Sequence, residues 1–141
     1  MNSYSFDEIQ IGLKESFSVI ITEEMMKKFM EITGDINPLH TDLKFAKSKG
    51  YDNKVVYGMM TSSFLSTLAG VYLPGKYSLI QSVETLFKKP VFPGDSLKIL
   101  GEVVEKHDVV KRITLKVAIT NQNNEKVCRG TMQIGVMDGI L

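Results

Sequence analysis

Gly58-Met59-Met60-Thr61-Ser62-Ser63-Phe64-Leu65-Ser66-Thr67-Leu68-Ala69-Gly70-Val71-Tyr72 runs without a single charged side chain. A helix that is apolar or small on every side is built to be buried. Leu73-Pro74-Gly75 ends it, since proline and glycine punctuate regular structure. Beyond that point the period changes from helical to alternating, over residues 77–87, 95–106, 109–121 and 126–136. The breaks fall at 90–94, at His107-Asp108 and at 121–124. Long antiparallel strands following one buried helix predict an α+β fold in which a curved sheet wraps that helix.

Upstream, residues 17–21 read as a short strand, and Thr22 then caps a helix whose first turn carries Glu23 and Glu24, favourable at the positive end of the dipole. Met25, Met26, Phe29, Met30 and Ile32 recur at helical spacing and make an ordinary core face. Gly34 stops the helix. Asp42 is placed to cap a short helix through Ala46, and residues 50–54 form a polar, turn-rich connection.

The chain has 141 residues, 43% of them hydrophobic, which suits one globular domain over residues 1–141. Seventeen basic and sixteen acidic side chains leave a net charge of +1. Such a balance provides no field to recruit nucleic acid or a membrane surface. The expected partner is therefore a small molecule or another protein. Residues 1–15 include acidic side chains and no apolar signal segment, and no stretch is long enough to cross a bilayer, so a cytoplasmic location is expected. The single Cys128 excludes an internal disulfide and reads as a small buried hydrophobe. His40 and His107 lie in separate segments with no second ligand at helical spacing, so no metal site is expected.

The chemistry concentrates in Thr33-Gly34-Asp35-Ile36-Asn37-Pro38-Leu39-His40. Pro38 lacks an amide hydrogen and restrains Asn37, so this stretch is expected not to continue a helix. A carboxylate and an imidazole are then fixed on one turn, as a general acid/base site requires. A purely structural role fits the same residues: Gly34 as a left-handed helix stop, Asp35 and Asn37 as turn formers bonding nearby backbone.

That run, followed by Val56-Tyr57-Gly58-Met59-Met60, by Leu73-Pro74-Gly75 and by Phe87-Lys88-Lys89-Pro90-Val91-Phe92-Pro93-Gly94-Asp95, resembles the MaoC-like hydratases of the hotdog fold. In particular it is similar to the short (R)-specific enoyl-CoA hydratases, over nearly the whole chain. The G-D-x-N-P-x-H element is the specific one, whereas P-V-x-x-G-D marks the fold more than the chemistry. The resemblance implies that Asp35 and His40 hold and activate the water added to C3 of a trans-2-enoyl thioester, with a proton delivered to C2 on the same face. It implies that the Gly58 amide is the oxyanion donor, which agrees with a free N–H at a helix N-terminus. Asn37 would support the turn or bond the water. Ser66 matches a position near the catalytic pair, or serves close helix–sheet packing. Tyr57 departs from the family, which usually has histidine there, and this bears on the shape of the acyl pocket and substrate preference. Phe64, Leu65, Leu68, Tyr72 and Leu79 are candidates for pocket lining or plain core.

No cofactor is implied beyond the carrier of the thioester, coenzyme A or acyl carrier protein. Lys88, Lys89 and Lys76 are candidate cations for the carrier's phosphates, or solvated guards of a strand edge. Hotdog domains of this kind pair through their sheets, so at least a homodimer is expected. Two other classes compete with a hydratase: a hotdog thioesterase, which commonly carries a carboxylate on the central helix where residues 58–72 have none, and a non-catalytic acyl-thioester-binding module.

Overall fold

The structure is a computed structural model and describes residues 1–139. Five antiparallel strands form one sheet in the order β1-β3-β4-β5-β2, with β1 at Lys14–Ile20, β2 at Ser78–Phe87, β3 at Ser96–His107, β4 at Arg112–Thr120 and β5 at Lys126–Val136. The alternation in sequence becomes an inside and an outside. Leu97, Ile99 and Val103 of β3, Ile113, Leu115 and Ile119 of β4, and Met132 and Ile134 of β5 are all 0% exposed. Lys98 and Lys116, at intervening positions, face water.

Helix α1 (Glu23–Thr33) starts where Thr22 accepts the Met25 amide at 3.1 Å and ends at Gly34, whose φ of 74° is left-handed. Two short helices follow, α2 (Pro38–Thr41) and α3 (Leu43–Ser48), the second capped by Asp42. The long apolar stretch forms α4 (Gly58–Thr67) and closes with a π-helical turn over Leu68–Tyr72. Leu68, Ala69 and Leu73 at this end are 0% exposed. A Cβ on Gly101 of β3 would lie 2.9 Å from the Leu68 side chain, so helix and sheet meet here because that glycine has none.

Four expectations are corrected. Pro38 does not merely interrupt helix; it begins α2, with the Asn37 side chain accepting the Leu39 amide at 2.9 Å, because an N-terminal helical position needs no amide donor. The central helix is not buried all round, since the sheet covers only one of its faces: Met60, Thr61 and Leu65 are buried, while Met59 is 68% exposed and Ser66 faces solvent. β1 begins at Lys14, where pairing of Lys14 with Glu102 extends it past the apolar residues. The β3–β4 turn takes in Val109 and Val110, with Val109 97% exposed, so β4 starts later than the alternation indicated. Cys128 is buried, as expected. Among the described residues no helix is long and apolar enough to cross a membrane.

Candidate active site

His40 sits in α2, half-buried, with its Nδ1 2.6 Å from the Val55 carbonyl oxygen. A carbonyl can only accept, so Nδ1 carries the hydrogen, and any acceptor role of the ring falls to Nε2. The same imidazole lies against the Tyr57 ring, centroids 4.1 Å apart. Two fixed points, one polar and one aromatic, therefore set the direction of Nε2.

Gly58 is the first residue of α4. The first amides to bond within that turn are those of Met60 and Thr61, both to the Tyr57 carbonyl. No side chain caps this end, so the Gly58 and Met59 amides are unpaired among the described residues and point from the positive end of the dipole. A Cβ at Gly58 would lie 3.3 Å from the Phe87 ring, so glycine here keeps an aromatic wall close to the free amide.

His40, Gly58 and Phe87 share a cavity of about 390 Å³, walled also by Thr61, Val127 and the Lys88-Lys89 pair. Thr61 was not anticipated. Its residue exposure is 2% and its hydroxyl has no partner among the described residues, an uncompensated group of a kind rare in folded proteins. Its position in the sequence held the only signal, a lone Thr one helical turn after Gly58. Lys89 pairs with Glu125, and this contact together with a hydrogen bond from Asn121 holds the Glu125 carboxyl below its usual range. Lys76 is not on the cavity wall; it lies over the Tyr77 ring.

The remaining predicted residues are not in the wall of this cavity. Asp35 is exposed, and one of its carboxylate oxygens accepts the Asn37 amide at 3.0 Å, while the other has no donor among the described residues. Asn37 caps α2 through its amide oxygen. Ser66 lies on the exposed face of α4, away from the cavity. Tyr57 is 2% exposed and donates its hydroxyl to the Asp35 backbone carbonyl at 2.7 Å. Burial, and secondarily the Asp35 charge, raise the Tyr57 pKa above its ordinary value, so the hydroxyl is a donor at neutral pH. Of the candidate acyl-pocket residues, Leu65 and Leu68 are core, and Leu79 stands half-exposed on β2.

His40 and an unpaired helix-terminal amide line one cavity, beside an antiparallel sheet packed against α4, and the architecture is that of a hotdog-fold protein. The MaoC-like domain model matches residues 7–126, and the chain belongs to that family. It is 31% identical over 126 residues to the (R)-specific enoyl-CoA hydratase of Aeromonas caviae, spanning 89% of this chain and 94% of that protein. It is 32% identical over 100 residues to a 3-hydroxybutyryl-CoA dehydratase of Methylorubrum extorquens, spanning 71% of this chain but 64% of that one. Among solved structures, the unliganded R-hydratase PhaJ1 of Pseudomonas aeruginosa superposes with a TM-score of 0.90 at 27% identity, covering 96% of this chain and 86% of that one.

Proposed function

We propose that the chain is an (R)-specific enoyl-thioester hydratase, equally a 3-hydroxyacyl-thioester dehydratase, with Asp35 and His40 as its acid/base pair and the Gly58 amide as oxyanion donor. The observation that carries the reading is the Nδ1–H bond of His40 to Val55, which leaves Nε2 to serve as a base in a residue that lines the same cavity as an unpaired helix-terminal amide. In the hydration direction, water held by Nε2 and the Asp35 carboxylate bonds to C3 and gives up a proton to the pair. The electrons displaced from the C2–C3 double bond move toward the thioester oxygen, where the Gly58 amide meets the growing charge. The pair returns a proton to C2 on the same face, and the enzyme ends as it began. Dehydration is the same path reversed.

Lys88 and Lys89 at the cavity wall suit the phosphates of coenzyme A, or the acidic surface of an acyl carrier protein. A thioesterase is disfavoured because α4 carries no carboxylate. We further propose a homodimer. β2 is a sheet edge that leaves Leu79, Val83 and Leu86 at 49%, 45% and 56% exposure, more apolar surface than an edge strand ordinarily shows to water. The test is the absorbance of crotonyl-CoA with purified protein, alongside a free-thiol assay and chiral analysis of the product. Absorbance loss without thiol release, giving the (R)-3-hydroxy product, is expected. Thiol release would make it a thioesterase, and no change with either CoA or acyl-carrier-protein substrates would make it a binding module.

A further inference from the structure

Tyr57 occupies a position the sequence associated with the substrate, yet it is absent from the wall of the cavity that holds Gly58. It lies behind His40. A second, smaller cavity of about 170 Å³ is bounded by Tyr57, His40, Met26 and Met30, so the imidazole divides the two spaces and the phenol ring backs it from the far side. Phe29 of α1 packs against the same ring, centroids 5.0 Å apart. The hydroxyl, at the other end of the side chain, reaches the Asp35 backbone oxygen at 2.7 Å. One rigid side chain thus touches both members of the proposed acid/base pair: a ring face against one, a hydrogen bond to the backbone of the other.

We infer that Tyr57 is a positioning residue that locks the Asp35–His40 turn to α1 and α4, and not a substrate contact; the inference rests on the acid/base reading of that turn. Asp35 is exposed and its neighbours Ile32 and Ile36 are 82% and 74% exposed, so the turn has little packing of its own. Its order depends on bonds such as this one. Phenylalanine would keep the aromatic contact with His40 and lose the tether to Asp35; leucine would lose both.

The experiment compares the full-length wild type with Tyr57→Phe and Tyr57→Leu by amide hydrogen exchange and by kcat and KM on crotonyl-CoA. In Tyr57→Phe, peptides covering 33–41 exchange about two- to tenfold faster, the loss of one net hydrogen bond, while peptides of β4 are unchanged. kcat falls about tenfold with KM within about twofold, since a displaced base costs turnover more than binding. Tyr57→Leu deepens both effects with β4 still protected. A rise in KM at constant kcat would overturn the inference in favour of direct substrate contact. Unchanged exchange at 33–41, or acceleration shared with β4, would overturn it too, the first showing an idle hydroxyl and the second plain core packing. Exchange is read without substrate, so the tether stands or falls even if the wild type proves not to be a hydratase, a failure visible in its own inactivity.

Discussion

The Thr33–Thr41 turn and the β3–β4–β5 sheet divide the work of the molecule. In the sheet, consecutive inward residues such as Ile113 and Leu115 are 0% exposed and each strand is bonded along both edges. In the turn, Asp35, Ile36 and Asn37 are exposed, and order comes from short side-chain-to-backbone bonds: Thr33 to Asp35, Asp35 to Asn37, Asn37 to Leu39. On the proposed reading, stability and chemistry fall to different residues. The proposed acid/base groups then sit where packing is thinnest, and a few contacts with buried residues, Val55 and Tyr57 above all, give them direction.

If that division holds, changes in the two regions have opposite signatures. The largest is expected at His40: His40→Ala reduces turnover about 10²–10⁴-fold, the range for loss of a general acid/base, while the melting temperature moves by only about 2 °C. Differential scanning fluorimetry beside the hydration assay reads both. Leu68→Ala does the reverse. It opens a cavity under the π-helical turn and costs roughly 2–5 kcal/mol in urea unfolding, with kcat per folded molecule preserved. A stable Leu68→Ala protein that had lost its turnover would break the comparison.

Gly58→Ala tests the join between the regions. The amide donor remains, but the added Cβ meets the Phe87 ring at 3.3 Å, a contact that closes only if that half-exposed ring shifts at the cavity wall. KM is expected to rise more than kcat falls, and steady-state kinetics separate the two. The smallest effect is expected from Thr22→Ala, which removes the cap of α1 and costs about 1 kcal/mol with turnover unchanged. A turnover loss there would mean that α1 transmits more to His40 than the packing of Phe29 on Tyr57 conveys.

The sheet was legible in the sequence because burial on one face writes itself as alternation, and β5 was bounded to the residue by polar breaks on one side. The start of β1 was not legible. Lys14, Glu15 and Ser16 carry no strand preference, and only pairing with distant β3 makes them a strand. The exposed side of α4 escaped for a related reason: a small, uncharged face reads alike whether a sheet covers it or not. At the proposed site, residue types and spacing single out Asp35 and His40, and the family resemblance adds Gly58. The Val55 carbonyl that orients His40 and the unpaired Thr61 hydroxyl did not, since a backbone oxygen has no sequence signature and an isolated threonine in a helix is ordinary. In the sequence Pro38 reads as an interruption of helix, whereas the structure uses it as a helix start, a choice decided by Asn37 capping in front of it.

The most direct test is Asp35→Asn, assayed for crotonyl-CoA hydration and thermal melting beside the wild type. The carboxylate is lost, the side chain keeps an oxygen able to accept the Asn37 amide, and the surrounding turn is exposed. Turnover falling at least about a hundredfold with an unchanged melting temperature is the predicted result. Turnover close to wild type would contradict the account, leaving Asp35 a turn-former and the acid/base pair unassigned.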